Sequence, residues 1–146
     1  MLDRTLRMGK ACAMASAPPA MSPGIGIDAL ASRLAGMIAR EPREVAALAF
    51  CDGSGRLVGI RRIGGGWDDA IDLPLRRIVA DVVLLDAVTV VMAHNHPSGE
   101  SWPSRADRAV TLRLARALAS VEARLDEHVV VGRDGAMWSF RAAGLL

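Results

Sequence analysis

A continuous apolar, β-branched run, Ala87-Val88-Thr89-Val90-Val91-Met92-Ala93, leads without a break into His94-Asn95-His96-Pro97. A strand of this composition has no polar face, so it must be covered on both sides. It therefore demands a sheet layered between other elements. The chain is long enough to build one. At 146 residues a single domain is expected, with about 68–70% of the unfolded surface buried. A hydrophobic fraction of 51% against 23% charged residues fits a globular protein and not a disordered one.

Other elements follow from periodicity. Ile27, Leu30, Leu34, Met37 and Ile38 fall at helical spacing, and Pro42 closes that amphipathic helix. Residues 44–51 form a short apolar strand, 52–55 a turn, and 56–63 the returning strand of a hairpin. Gly64-Gly65-Gly66 is a flexible break. A helix is expected over 75–86, then the buried strand, then a loop rich in Pro and Gly from Asn95 to Pro103. A long helix follows from Ser104 to about Leu125. Strands at 128–131 and 137–140 end the chain. Strands mixed with helices make the class α/β. Residues 1–25, rich in Ala, Pro, Ser, Gly and Met, read as a disordered leader; 26–41 hold the first helix; 42–146 form the main domain. Arg4, Arg7 and Lys10 before Ala11–Ala17 faintly echo a signal peptide. That stretch lacks Leu, Ile, Val and Phe, and Pro18-Pro19 cut it short, so no signal peptide is expected.

The chemistry concentrates where the buried strand ends. Side chains at i and i+2 point to one face of a strand, so His94 and His96 can converge on one point, as a metal requires. Asp107 sharpens this reading. On the helix from Ser104, residues Val110, Leu114, Ala117, Leu118, Val121 and Leu125 form an apolar stripe with Asp107 at its head. Arg105, Arg108, Arg113 and Arg116 lie on the opposite side. A carboxylate on the core face is costly unless a cation pairs with it. No Lys or Arg shares that face, and a metal on His94 and His96 would serve. Ser104-Arg105-Ala106-Asp107 also reads as a capping box, with Ser at the N-cap and an acid at N3. The two readings are compatible.

Composition removes the competitors. With three histidines, two cysteines and no tyrosine, a cysteine-rich zinc knuckle, an iron–sulfur cluster and tyrosine acid–base chemistry are all excluded. Five aromatic residues are too few for a single-stranded nucleic-acid platform, and a net charge of +2 does not mark a nucleic-acid binder. A zinc nucleobase deaminase needs His-x-Glu and Pro-Cys-x-x-Cys, and neither occurs. No apolar run of 18 residues exists, so no membrane span is expected. Cys12 and Cys51 lack a disulfide-like spacing, which points to a reducing cytoplasm.

His94-x-His96-Pro97 followed by Ser104 and Asp107 resembles the metal motif of the JAMM (JAB/MPN+) metalloproteases. The longer wording, His-Asn-His-Pro-Ser-Gly and then Pro-Ser-x-x-Asp, is similar to the RadC branch of that family. Arg43-Glu44-Val45 looks like the segment that carries the family's glutamate, and Glu127-His128 through Gly132 resembles a run near the end of RadC-like domains. The likeness spans 43–146. It implies a single cytidine-deaminase-like domain with a mixed, curved sheet flanked by helices. It also implies a Zn²⁺ held by His94, His96 and Asp107, with Glu44 as general base and Ser104 steadying an oxyanion. The activity implied is that of a zinc-dependent metallohydrolase, a metallopeptidase or isopeptidase acting on a peptide or protein.

One departure stands out. RadC-like sequences often carry Arg-Glu at the start of the helix before the His strand, and here the pair is Arg76-Arg77. If that acid were the base, the chain would bind metal with impaired catalysis. The alternative function is accordingly a non-catalytic RadC-like module associated with DNA repair or protein interaction. DNA as a partner has only the arginines of the Ser104 helix in its support. Residues 1–42 are too short for the helix-hairpin-helix module of full RadC-type proteins. His128 is expected to make a structural hydrogen bond, and Cys51 to act as a small hydrophobe. Glu100 and Trp102 are candidates for the rim of a substrate groove.

Overall fold

The computed structural model describes residues 24–64 and 72–146. Most of the expected leader, and Gly65 and Gly66 of the glycine break, lie outside the described residues. The described chain forms α1 (Ile27–Ile38), β1 (Val45–Cys51), β2 (Leu57–Gly64), α2 (Leu75–Leu84), β3 (Thr89–His96), α3 (Arg105–Ala119), β4 (Arg124–Gly132) and β5 (Met137–Ser139). The five strands make one open sheet in the order β2-β1-β3-β4-β5. β1 runs antiparallel to β2 and β3, β3 parallel to β4, and β4 antiparallel to β5. The sheet is therefore mixed.

β3 lies at its centre, and its apolar run is covered on both faces as its composition demands. Val90 and Met92 join Ala46, Leu48 and Phe50 of β1 against Ile78 and Val82 of α2 and Val110, Leu114 and Leu118 of α3. Val91 and Ala93 join Ala47 and Ala49 against Leu30, Leu34 and Ile38 of α1. Two cores thus sandwich the sheet, one under α1 and one under α2 and α3. The strand alternation fixes what happens at the carboxyl end of β3. His94 and His96 continue the parity of Val90 and Met92 toward α3, while Asn95 continues that of Val91 and Ala93.

The structure corrects two boundaries. α3 ends at Ala119, not near Leu125, and β4 begins at Arg124, four residues before the expected strand. Glu122 takes a left-handed conformation (φ 59°), and the Ala123 amide turns back to the Leu118 carbonyl, which terminates the helix. Leu125 keeps helical spacing with Leu118 and is buried in the same core, but it reaches that core from β4. β3 also runs through His96, so the start of the expected loop, Asn95 and His96, belongs to the sheet.

One glycine ties the loop after β3 to the sheet. Gly132, at the end of β4, pairs with His96. A Cβ there would stand 2.3 Å from the Gly99 carbonyl oxygen, a backbone atom that cannot rotate away. Gly53 has no neighbour within 4 Å of the equivalent point. Gly132→Ala is expected to cost about 1–3 kcal/mol of stability by overpacking. Gly53→Ala should stay within about 0.5 kcal/mol. Urea unfolding of both variants checks the contrast; equal midpoints would show that the loop yields freely.

Candidate metal centre

The site forms where the carboxyl end of β3 meets the amino terminus of α3. Ser104 is the N-cap, and its hydroxyl oxygen accepts from the Asp107 amide at 3.0 Å. Asp107 Oδ2 accepts from the Ser104 amide at 2.6 Å, which completes the capping box. The cap therefore anchors the carboxylate while leaving Oδ1 for other work. That oxygen faces His94 Nε2 at 3.2 Å. His96 Nε2 lies 3.2 Å from Asp107 Oδ2 and 3.0 Å from His94 Nε2. Metal-ligand geometry and helix capping coexist on one side chain.

These three residues form a group that can hold a metal ion. Four ligands at 2.0–2.1 Å around a tetrahedral zinc lie about 3.3 Å from one another. The spacings of 3.0, 3.2 and 3.2 Å fit that figure. The chemistry of the donors fits too. His96 Nδ1 contacts the Glu100 carbonyl oxygen at 2.9 Å. A carbonyl can only accept, so Nδ1 carries the proton and the neutral ring turns an Nε2 lone pair inward. His94 and Asp107 are almost wholly buried, at 0% and 1% exposure, so water does little to screen this convergence.

The ionisable groups respond to one another. Burial alone would push the Asp107 carboxyl up, but the His94 and His96 imidazoles that face it outweigh burial and hold the carboxyl well below its ordinary range. The hydrogen bond to Asp107 raises His96, against the desolvation that would lower it. His128 is pushed well below the ordinary imidazole value by burial, so it is neutral.

Glu44 sits directly before β1, half-buried, with Oε1 4.0 Å from His96 Nε2. Asn95 holds that segment. Its Oδ1 accepts from the Val45 amide at 2.6 Å, and its Nδ2 donates to the Glu41 and Arg43 carbonyls at 3.1 Å each. The residue between the two histidines therefore clamps the backbone on either side of Glu44. All five sequence-derived site residues (Glu44, His94, His96, Ser104 and Asp107) are brought together here. Arg76 and Arg77 are exposed on the first turn of α2.

His128 lies beside this cluster. Its Nε2 meets His94 Nδ1 at 2.7 Å, and its Nδ1 meets the Thr111 hydroxyl at 2.7 Å. Phe140 stacks on its ring at 4.5 Å between centroids, 3° from parallel. Thr111 went unrecognised in the sequence, although a polar residue one turn after Asp107 on the core face carried the same signal as Asp107 itself. Asn95 was hidden by its place in a turn-like tripeptide. Glu100 contributes its backbone carbonyl. Trp102 is exposed and meets Trp138 edge-on, with ring centroids 5.7 Å apart. Cys51 is buried, and that burial, with the Asp52 and Asp126 charges behind it, pushes its thiol up. It is an inert hydrophobe, remote from metal chemistry.

This His-His-Asp cluster at the end of a central strand, with a capping-box acid at the start of the next helix, defines a domain class. The chain belongs to the RadC-like JAB domain family, whose profile matches residues 26–145. Its single α/β domain, with three helices and a five-stranded mixed open sheet among the described residues, is of the JAB/MPN type. It is 43% identical over 90 residues to a UPF0758 protein of Vibrio cholerae, covering 62% of this chain and 57% of that one. It is 37% identical to a UPF0758 protein of Aeromonas hydrophila over 99% of this chain and 64% of the relative. A UPF0758 protein of Methylibium petroleiphilum, Mpe_A2695, is 40% identical over 75% of this chain and 49% of its own length. The chain thus spans 49–64% of the length of these three curated relatives. No helix among the described residues is long and apolar enough to cross a membrane.

A pH dependence follows for the metal-free protein. The lowered Asp107 carboxyl contributes stability above its unfolded pKa of about 3.9, lost as pH falls below that value. The raised His96 contributes stability below about 6.5, lost as pH rises through its folded value. His128, held neutral, acts in the opposite sense below about 6.5, so one unfolding curve mixes the effects. The stability difference between the parent and Asp107→Asn isolates the cluster. It should be largest between about pH 4 and 6.5 and shrink on both sides. A difference independent of pH, in thermal unfolding with chelator present, would contradict the coupling.

Proposed function

We propose that this chain is a zinc-dependent metallohydrolase that cleaves an amide or isopeptide bond in a peptide or protein. One observation carries the reading: two imidazole Nε2 atoms and a buried carboxylate meet within 3.0–3.2 Å. Groups of that kind repel or compete for protons unless a cation lies between them. His94, His96 and Asp107 would be the ligands. When bound, zinc in such a set carries a net charge of about +1 and supplies Lewis acidity, polarising a carbonyl and acidifying water.

The remaining steps belong to the chain. Glu44 stands 4.0 Å from His96 Nε2, near enough to take a proton from an attacking water and pass it to the leaving amine. Asn95 keeps its backbone in place. Ser104 uses an oxygen lone pair on the Asp107 amide. Its hydroxyl proton is not consumed by that bond and can donate to an oxyanion. Arg77 stands where RadC-like sequences often have Glu, but the carboxylate that approaches His96 is that of Glu44, directly before β1, and in this reading it takes the base's role without an acid on α2. A peptide or protein is the proposed substrate. DNA gains no more support than the exposed arginines of α3, a solvated face in most proteins. A buried, free Cys51 fits a reducing compartment such as the cytoplasm.

Elemental analysis of purified protein should find about one zinc per chain. His96→Ala and Asp107→Ala should lose it. Glu44→Gln should keep the zinc and reduce cleavage of a peptide library, read by mass spectrometry, by about 10²–10⁴-fold. Ser104→Ala should keep zinc and lose about 10²-fold, with about 1 kcal/mol of cap stability. Zinc-loaded protein whose cleavage is indifferent to Glu44→Gln would overturn the assignment of the base. Protein that takes up no zinc would overturn the reading as a whole.

A further inference from the structure

We infer that Thr111 and His128 form a directional hydrogen-bond relay that fixes the tautomer of His94 and so reserves its Nε2 lone pair for the metal. The inference rests on the metal reading above, and it assigns roles to two residues outside the ligand set.

The direction follows from counting protons. The Thr111 hydroxyl lies 2.6 Å from the Asp107 carbonyl oxygen, one helical turn back. A carbonyl can only accept, so the single hydroxyl proton is spent there. Toward His128 Nδ1, at 2.7 Å, the same oxygen can then only accept. His128 therefore carries its proton on Nδ1, and its Nε2 is an acceptor. His94 Nδ1, 2.7 Å from that Nε2, must be the donor. One proton remains on Nδ1 of His94, and its Nε2 turns a lone pair toward His96 Nε2 and Asp107 Oδ1. No step in this chain can be reversed alone, because Thr111 has no second proton.

The packing fixes the His128 ring. His128 is fully buried, and Phe140 lies parallel to it. β4 sets His128 opposite Met92 on β3, two residues before His94. Asp107 is tied in at both ends: its carboxylate faces the histidines, and its carbonyl starts the relay. The two histidine ligands are thus oriented by different means, His96 by the Glu100 carbonyl of the loop and His94 by two buried side chains. Hydrogen bonds behind a ligating imidazole fix its orientation and raise its basicity, and their loss commonly costs 10–100-fold in metal affinity.

The test combines spectroscopy with affinity on the full chain. Long-range ¹H–¹⁵N correlation on metal-free protein, at a pH where all rings are neutral, should show His94 and His128 both as Nδ1–H tautomers. An Nε2–H signature for His94 would overturn the relay whatever the protein's zinc affinity. Chelator competition with Zn²⁺ then reads the consequence. Thr111→Val removes the acceptor while keeping the shape, and should weaken zinc binding about 10–100-fold. It should also shift His94 away from the pure Nδ1–H form. Thr111→Ser should restore both. Wild-type protein that binds zinc, with Thr111→Val binding equally well, would refute the relay and leave the metal reading standing. Wild-type protein that binds no zinc would defeat the metal reading, and the tautomer spectrum would still decide the relay.

Discussion

The structure turns on one largely buried meeting point, where two imidazole nitrogens and a carboxylate stand 3.0–3.2 Å apart at the end of β3. Such a convergence is unfavourable by default, since each group gives up water and faces a competitor for protons. It persists because every other polar position on those groups is occupied. The Asp107 carboxylate is pinned by the Ser104 amide, His96 by the Glu100 carbonyl, and His94 by His128. With their outward bonds satisfied, the inward atoms have only a cation left to meet.

The fold supplies the rigidity for this. β3 is clamped between two cores, so its end cannot slide or rotate. Strand parity then divides labour over three consecutive residues. His94 and His96 face α3 and the metal position, while Asn95 faces the other way and grips the backbone around Glu44. A carboxylate about fifty residues away in sequence is thereby brought beside the histidines by a side-chain amide. The parallel pairing of β3 with β4 through α3 places Asp107 and Thr111 on the helix of that unit and His128 on its second strand.

Much of this was legible in the sequence, for stated reasons. The β-branched run ahead of His94 specified a central strand, and the i, i+2 histidines specified one face. Asp107 on the apolar stripe was anomalous enough to mark itself. The rest needed three dimensions. Leu125 satisfies the helical period, and nothing in Arg124-Leu125-Asp126-Glu127 announces a strand, so periodicity alone carries the helix past its end at Ala119. Glu127 is a buried acid whose oxygens are met by Ser139 Oγ and the amides of His128 and Arg141. That satisfaction is invisible without the chain's return through β5. The partnership of His128 with His94 depends on a β3/β4 register that shifts at a bulge between Val90 and Val91. No local pattern encodes that shift. Asn95 reads as the first residue of a loop because Pro97 and Gly99 follow it so closely.

The central claim is that a metal is held by two histidine nitrogens and one carboxylate, with no sulfur. X-ray absorption at the zinc edge of the loaded protein tests it most directly. The account predicts a four-coordinate shell of nitrogen and oxygen at about 2.0–2.1 Å, with outer scattering from two imidazole rings. A sulfur scatterer at about 2.3 Å, or a shell without imidazole, would contradict it.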